Sequence, residues 1–544
     1  MPSTASSQKR NEKASSSTDS DTEGGLKLFG RLDVDSMLRR EALEFDLLSQ
    51  LTHMSAVATS GMERAKLFEG TAGLSYSTSK FFRQVHLVAQ RLNFDYSRAC
   101  ELVADTVKED AVRNLLLHFA TSLSSGEKEE HFLEREAALQ RETYGKGYER
   151  KVESLQKWSD AYVALMVSAT LVVVISLVSM MIYPFSPISI VGLAVLMVCV
   201  TFVGGWLIFT VAPIEVKTHS LRHKSPEQLR LRKLSTILLP LAAIAGFGAG
   251  WLLGLGPAMA IAGVIIAPIG VVAFMDDWRI DARDRDIATF VRAMGGVMGS
   301  SGLTALDGLS RLNRRSLGSL EPLVQRLYVR LRNSISPDLS WLRLAAESGS
   351  ELVTRSVRVF WDGVRVGGDT EKVATLSSEF ALKIYLLRAD RKLVSTTFSF
   401  VAIPLHGVLI GILLFVTQVV QIFGEQLTQV QSQSLEGGVA AEAGVGDALL
   451  FQAPALGFIP VFVGTVAIML TAANSFAPYA AAGGHRLKLC LYLAVMMVIT
   501  GLMMIVVPSM VDALFKSVVD TSVATPAGVP TVSPGPTPIP TVGF

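Results

Sequence analysis

The segment from Gly444 to Asp447 reads Gly-Val-Gly-Asp and fits the GxGD pattern of intramembrane aspartyl proteases. Such proteases need two carboxylates close enough to share a proton and position a water molecule. Asp447 lies in an acidic stretch before an apolar run, whereas Asp276 and Asp277 end another run at the opposite predicted face. No second aspartate occurs at the depth of Asp447, so the sequence favours a Gly/Ala-rich connection over a peptidase.

His406 is the only clearly ionisable side chain well inside an apolar run, and the helix-kinking Pro404 precedes it by two residues. Ionisable residues inside a membrane are costly and often functional. A proton relay through His406 is one interpretation. A neutral histidine hydrogen-bonded to a neighbouring helix is the interpretation that a lone histidine favours.

Arginines are concentrated in one stretch of predicted helices and turns. The candidate docking set is Arg311, Arg314, Arg315, Arg326, Arg330 and Arg332, and Arg355, Arg358 and Arg365 follow it. Guanidinium groups pair bidentately with carboxylates, so the set suits an acidic partner. A solvated face balanced by Asp and Glu, or a surface held against anionic lipid, are the alternatives. Nucleic acid is not expected, because the formal net charge is only +2 and no aromatic-interleaved basic patch occurs.

Other catalytic and ligand-binding motifs are absent from the sequence. Gly145-Lys146-Gly147 lacks the preceding glycine and the hydroxyl of a phosphate-binding loop, and neither HExxH nor GxSxG occurs. The three cysteines are far apart and form no CxxC pair. We therefore expect no catalytic, cofactor-binding or metal-binding residues and a protein that is not an enzyme. Any energy for mechanical work must then come from a separate protein.

The composition is that of a polytopic membrane protein. Half of the residues are hydrophobic and the mean hydropathy is +0.40. A bilayer core of about 30 Å needs about 20 apolar residues in a helix. Seven runs meet that length, at about 161–183, 188–212, 235–253, 257–275, 396–421, 453–473 and 489–511. The glycines at 246–256 leave a single re-entrant pair across 235–275 as an alternative.

The charges of the connections predict the topology. Lys and Arg are frequent in the loop at 213–234, in the block at 276–393 and at 474–488, whereas the loop at 424–452 is acidic with neither. Because basic connections stay on the inner side, we expect a multi-pass protein of the cell membrane. Its N-terminus would be cytoplasmic and its C-terminus outside. Residues 1–33 read as a disordered lead, and 516–544 as a disordered Pro/Thr-rich outside tail.

One pattern occurs twice along the chain. A helix-patterned block at 34–160 precedes four membrane spans at 161–275, and a second block at 276–393 precedes three spans at 394–515. Gly126-Glu127 and Gly368-Asp369 mark the predicted turn between the last two helices of each block. A repeat of this length indicates a duplicated structural unit.

The two blocks resemble the type II secretion F domain on several features. Each has a first helix rich in apolar residues, a Gly-Glu or Gly-Asp turn, and a last helix that runs into a membrane span. The extra membrane pair between the copies is most similar to the archaellum branch of this family. The resemblance covers roughly residues 40–515. It implies an all-α, polytopic α-helical membrane protein with two duplicated cytoplasmic helical-bundle domains.

The resemblance also implies a function and partners. Members of the family are membrane platforms worked by a hexameric cytoplasmic secretion ATPase, and they assemble archaellin-like or pilin-like filament subunits. A homodimer and contacts with other archaellum motor proteins and the lipid bilayer are expected on the same ground, and the arginine set is the candidate ATPase-docking surface. An archaeal adhesive pilus or type II secretion platform stays open as an alternative. A secondary transporter with duplicated halves is the alternative of another class.

Overall fold

The computed structural model describes residues 42–179, 187–219, 221, 225–436 and 459–523. This part of the chain is helical and contains no strand, only an isolated bridge between Thr218 and Ser350. The all-α prediction is confirmed. In chain order the helices are α1 (42–58), α2 (Arg64–Ala72), α3 (Ser79–Leu92), α4 (Tyr96–Ala104), α5 (Asp110–Ser125), α6 (Glu129–Ser179), α7 (Pro187–Val211), α8 (Pro226–Leu253), α9 (Leu255–Ser301), α10 (Ala305–Arg311), a 3-10 helix (Arg314–Leu320), α11 (Glu321–Arg332), α12 (Pro337–Ser348), α13 (Glu351–Arg365), α14 (Thr370–Glu436), α15 (Ile459–Ala482), a 3-10 turn (Arg486–Lys488) and α16 (Leu489–Val523).

Seven of these helices are long and apolar enough to cross a membrane, namely α6, α7, α8, α9, α14, α15 and α16. The chain is therefore a multi-pass membrane protein. The region 235–275 is two full helices that meet at Gly254, whose φ of 92° lies in the range that glycine adopts without strain. No re-entrant pair is present there.

Three helices extend far beyond the bilayer. At 1.5 Å per residue, the 67 residues of α14 span roughly 100 Å, against a hydrocarbon core of about 30 Å. The 51 residues of α6 and the 47 of α9 likewise continue beyond their apolar segments into the helical blocks. Each block is thus joined to the membrane by uninterrupted helix.

Several connections are shorter than the charge pattern indicates. Residues 226–234 of the predicted basic loop are the first turns of α8, which Ser225 caps by accepting a hydrogen bond from the Gln228 amide. At the far side α14 continues to Glu436 inside the predicted acidic loop, and α16 continues to Val523 inside the predicted tail. Charged residues end the apolar sequence pattern, but they do not interrupt the backbone hydrogen bonds of a helix. The helices therefore continue past the predicted limits.

The two blocks have the same order of elements. In the first block (residues 42–160) the helices α1 to α6 enclose a core that includes Met54, Phe68 and Phe119. In the second block (residues 276–393) the end of α9, then α10 to α14, enclose a core around Met294 and Trp341. Met54 and Met294 are both fully buried in corresponding helices, and Gly61 and Gly302 end those helices with φ of 64° and 59°.

At the turn before the last helix of each block, the two repeats correspond one residue away from the predicted alignment. Gly126 (φ 76°) corresponds in conformation to Gly367 (φ 85°), not to Gly368. The amides of the next residues, Glu127 and Gly368, both donate to the carbonyl five positions back, as in a Schellman end. Gly368 allows a close approach, because a Cβ there would lie 2.5 Å from Thr59 Oγ1. Asp369 instead caps α14 by accepting from the amides of Glu371 and Lys372.

Within the membrane, α9 and α16 pack closely through glycine. Gly256, Gly263 and Gly270 recur every seven residues along α9 and face α16. At Gly270 a Cβ would lie 2.4 Å from the Leu491 Cα and N atoms. Small residues at this spacing let two backbones approach each other in a bilayer, where dispersion contacts replace hydrophobic driving force.

We predict that Gly270→Ala destabilises the protein by about 1–3 kcal/mol, the usual cost of overpacking, because the backbone of α16 has to move. Gly248→Ala is the matched control, since nothing lies within 4 Å of a Cβ there and alanine favours helix by about 1 kcal/mol. Thermal unfolding in detergent measures both variants. Equal melting temperatures for the two variants would contradict this packing.

Candidate functional site

The candidate docking arginines fall into two groups. Arg326 and Arg330 on α11 both contact Glu347, Arg326 Nε at 2.9 Å, and Arg330 is only 15% exposed. Both therefore already have a carboxylate partner from the chain itself. Arg330 in particular fixes α11 to α12.

The other group is exposed. Arg311 ends α10, Arg315 lies in the following 3-10 helix, and Arg332 ends α11. Within the described part of the chain none of the three has a carboxylate within ion-pair distance, while the side chain of Arg314 lies outside what the structure describes. Helix α11 packs against both α10 and the 3-10 helix. They present a cationic surface at the part of the second block formed by α10 and α11, which we call the arginine face.

Arg355 is a buried cation between the two blocks. Its NH2 contacts Asp46 Oδ1 at 2.7 Å, its Nε contacts Glu351 Oε1 at 2.8 Å, and its NH1 donates to Ser49 Oγ. The guanidinium also lies 4.3 Å from the centre of the Phe45 ring. A buried charge stays in the interior only when it is paired in this way. Arg355 therefore belongs to the interface between α1 and α13 and is not a docking residue.

A second polar contact joins the same helices. His53 Nε2 on α1 lies 3.0 Å from Asp362 Oδ2 on α13. Burial alone would raise the pKa of the Asp362 carboxyl, but the His53 hydrogen bond and the positive charges of Arg365 and Arg358 lower it. Asp362 therefore stays ionised and holds the two repeats together at the end of α1.

Lys217, in the connection between α7 and α8, contacts carboxylates on α9. Lys217 Nζ contacts Asp277 Oδ1 at 2.7 Å and also contacts Asp281, and Lys488 Nζ contacts Asp277 Oδ2 at 2.9 Å. Burial would lower the pKa of Lys217, but the charges of Asp277 and Asp281 raise it above its usual value. Lys217 is thus a permanent cation, and it joins α9 to the α7–α8 connection.

The backbone of this connection also contacts the second block. The Glu351 amide donates to the Lys217 carbonyl at 3.0 Å, and His219 Nε2 lies 2.8 Å from the Ala346 carbonyl. Residues 213–219, which we call the strap, therefore bind the α12–α13 turn of the second block. The strap links this turn to α7 and α8 in the membrane.

A second buried ion cluster lies one to two turns further along α9. Arg388 NH1 on α14 contacts Asp284 Oδ2 at 2.7 Å, and its Nε lies 3.2 Å from Glu215 Oε2 of the strap. Ser350, which caps α13, donates to Asp284, and Tyr148 of α6 donates to Glu215. Asp284 is 1% exposed. We call the two clusters together the ionic junction, which joins α6, α9, α14, the strap and α16.

Arg391 reinforces the junction without a carboxylate. Its Nε donates to the Ala481 carbonyl at 3.0 Å and its NH1 to the Pro213 carbonyl at 2.6 Å. These are carbonyls at the end of α15 and at the start of the strap. A cation at the end of a helix satisfies carbonyls that lack an intrahelical partner.

His406 lies in a chain of hydrogen bonds that crosses four membrane helices. Tyr162 on α6 donates to Asn474 Oδ1 on α15 at 2.8 Å, and Asn474 Nδ2 lies 2.9 Å from His406 Nδ1. Because an amide nitrogen only donates, His406 accepts at Nδ1 and donates from Nε2 to Thr500 Oγ1 on α16, 2.9 Å away. This pattern is complete with a neutral ring and matches the second interpretation of His406.

Asp447 lies outside the described residues. In the part of the chain that the structure covers, no group of three or more His, Cys, Asp or Glu side chains is arranged to hold a metal ion. Cys100, Cys199 and Cys490 are all free. The charged side chains described above are instead paired with one another across several helices.

Two curated relatives are similar to this chain in sequence. The chain is 23% identical over 378 residues to flagella accessory protein J of Methanocaldococcus jannaschii, a match that covers 67% of this chain and 63% of that protein. It is 21% identical over 460 residues to flagella accessory protein J of Methanococcus voltae, covering 80% of this chain and 79% of that protein. The chain is similar to flagella accessory protein J. No family model and no solved structure matches it.

The residues of the ionic junction are not distinguished by any sequence motif. Asp277, Asp284, Lys217 and Arg388 are spread along the chain, and each has an ordinary surface-like neighbourhood in sequence. One signal was available: Asp276, Asp277, Asp281 and Asp284 recur at helical spacing directly after an apolar run. Carboxylates in that position need cationic partners.

We predict that Lys217→Met destabilises the protein by about 3–5 kcal/mol, because it leaves buried carboxylates with one cation fewer. Lys233→Met, at an exposed position on α8, should change stability by less than about 0.5 kcal/mol. Thermal or denaturant unfolding in detergent reports both. A Lys217→Met protein as stable as the control would show that Lys488 and Lys392 neutralise the carboxylates alone.

Proposed function

We propose that this protein is the membrane platform of an archaellum or a related type IV pilus-like machine. The observation that carries the proposal is the combination of homology to two flagella accessory proteins with duplicated helical blocks fixed to the membrane helices. The platform would transmit movements of a separate motor protein to filament subunits held in the membrane. It performs no chemistry itself.

The shape of the helices suits transmission of force. A block joined to a span by a flexible loop would move without moving the span. Here α6, α9 and α14 run from the blocks into the membrane without a break. Arg355, the His53–Asp362 pair and a shared apolar cluster that includes Phe45, Leu352 and Phe380 hold the two blocks together. A push on either block therefore moves both.

The partner that would deliver the push is a hexameric secretion ATPase. The arginine face supplies exposed guanidinium groups that are not neutralised by described carboxylates, and such groups pair strongly with carboxylates on a partner. Archaellin-like or pilin-like subunits, and a second copy of this chain, would contact the membrane helices. We place both blocks in the cytoplasm on the bias of Lys and Arg.

A secondary transporter is less well supported. Transporter repeats consist mostly of membrane helices around a central site. In this protein the corresponding elements of the two repeats are the helical blocks, and the repeats carry different numbers of spans. An adhesive pilus platform differs from an archaellum platform only in its filament subunits, so both belong to the same proposal.

Cysteine labelling tests the orientation. In a variant without native cysteines, we expect Ser432→Cys to react with a membrane-impermeant maleimide in intact cells, and Ser310→Cys to react only after lysis. The basic second block then faces the cytoplasm and the end of α14 faces outside. Labelling of the residue 310 variant in intact cells would reverse the whole orientation.

Charge reversal tests the arginine face. The triple change Arg311→Glu, Arg315→Glu and Arg332→Glu should abolish co-purification with the secretion ATPase and filament assembly, while the protein still inserts. Each charge pair that loses a partner costs about 2–5 kcal/mol when buried at an interface, and less at its rim. Three reversals thus lower the affinity well beyond detection at physiological salt.

The matched control reverses three exposed arginines of the first block, Arg91, Arg98 and Arg113. This variant should bind the ATPase normally. If the control loses the ATPase and the arginine-face variant keeps it, the contact lies on the first block. If both keep it at low salt, where ion pairs are least screened, the arginine face is only a solvated surface.

A further inference from the structure

A basic cavity lies between α9 and α14 next to the ionic junction. Its volume is about 430 Å³, and its walls include Arg279, Arg283, Arg285 and Lys392. A second cavity of about 480 Å³ shares Trp278, Asp281, Arg388 and Lys392 with it and continues to Phe274, Phe400 and Ile403 in the membrane region. The two form one groove with a basic end and an apolar end.

The cations of the basic end have N–H donors to spare. Arg279 uses NH1 for Glu227 and Arg285 uses Nε for Asp286, and the two side chains are 44% and 59% exposed. Arg283 NH1 donates to the Ser348 carbonyl. Lys392 contacts Asp281 and remains 52% exposed. Four of the five lining cations already contact a carboxylate, and Arg283 does not. The remaining N–H groups of Arg279, Arg283, Arg285 and Lys392 can still donate to an anion in the cavity.

The groove lies at the level of a membrane surface. Phe274 and Trp278, one turn apart on α9, are 46% and 61% exposed, and Phe400 on α14 is 79% exposed. Indole rings favour the interface between hydrocarbon and headgroups, whereas exposed phenylalanine needs an apolar cover. The basic end therefore begins where headgroups lie, and the apolar end begins where acyl chains lie.

We infer that this groove binds one anionic phospholipid. Its phosphate would lie among Arg279, Arg283 and Lys392, and its acyl chains along Phe274, Phe400 and Ile403. Basic pockets between helices at a membrane surface recognise phosphate headgroups. The apolar end of the groove favours a lipid over an acidic protein segment, because an acidic segment has no apolar group to place there. The inference does not rest on the proposed function, because it concerns the isolated chain.

The test titrates the full-length protein in neutral detergent with a fluorescent short-chain phosphatidylglycerol. The double change Arg279→Gln and Lys392→Gln should weaken binding about 30-fold, which is about 2 kcal/mol at 1.4 kcal/mol per tenfold, one for each basic group lost. The charge-preserving pair Arg279→Lys and Lys392→Arg should retain most of the affinity. The control pair Arg98→Gln and Arg135→Gln, with 62% and 64% exposed side chains in the first block, should bind as wild type does.

Mass spectrometry of wild-type protein purified from its membrane gives a readout that needs no variant, and we expect one anionic phospholipid per chain. Its absence there overturns the inference, as does equal lipid affinity of the Gln pair and wild type. Displacement of the lipid by equimolar inorganic phosphate would show a free-phosphate site instead. Displacement by a polyglutamate peptide that binds more tightly would assign the groove to an acidic protein segment.

Discussion

Buried carboxylates on α9 impose the constraint on which the rest of the structure depends. Asp277 and Asp284 are 7% and 1% exposed, and an ionised carboxylate at that depth is stable only with a cation in contact. Their cations come from the strap, from α14 and from the 3-10 turn before α16. The charges therefore force together elements that are far apart in sequence, at the place where the second block joins the membrane helices.

The same constraint explains how the two repeats differ in role. The second block is fixed to the membrane through α9, α14, the strap and Ser350 at the start of α13. The first block continues into the membrane through α6, and it is fixed to the second block through Arg355 and the pairs of Lys372 with Glu130 and Lys383 with Glu149. Those last two pairs are partly exposed and contribute little, so Arg355 and the apolar cluster around Phe380 are the main link.

Much of the architecture followed from the sequence because it depends on local pattern. Apolar runs of sufficient length predicted seven spans, and the repeat predicted two blocks with the same helix order. Helix ends were less predictable, because α14 and α16 continue past their apolar segments. In the turn before α14, Gly367 and not Gly368 has a positive φ, and two adjacent glycines do not show in sequence which of them adopts it. The ionic junction was not predictable, because partners such as Lys217 and Asp277 are adjacent only after folding. Counting arginines likewise could not distinguish Arg355, which is buried, from Arg311, which is exposed.

We propose that a separate secretion ATPase acts on this chain as a membrane platform. The most direct measurement is the ATP hydrolysis rate of the purified ATPase as full-length protein in nanodiscs is added. A platform of this kind should form a stable complex with the ATPase and change its hydrolysis rate in a saturable way, and the effect should weaken as salt screens the arginine face. A hydrolysis rate that stays constant at every concentration of the protein, with no complex at low salt, would contradict it.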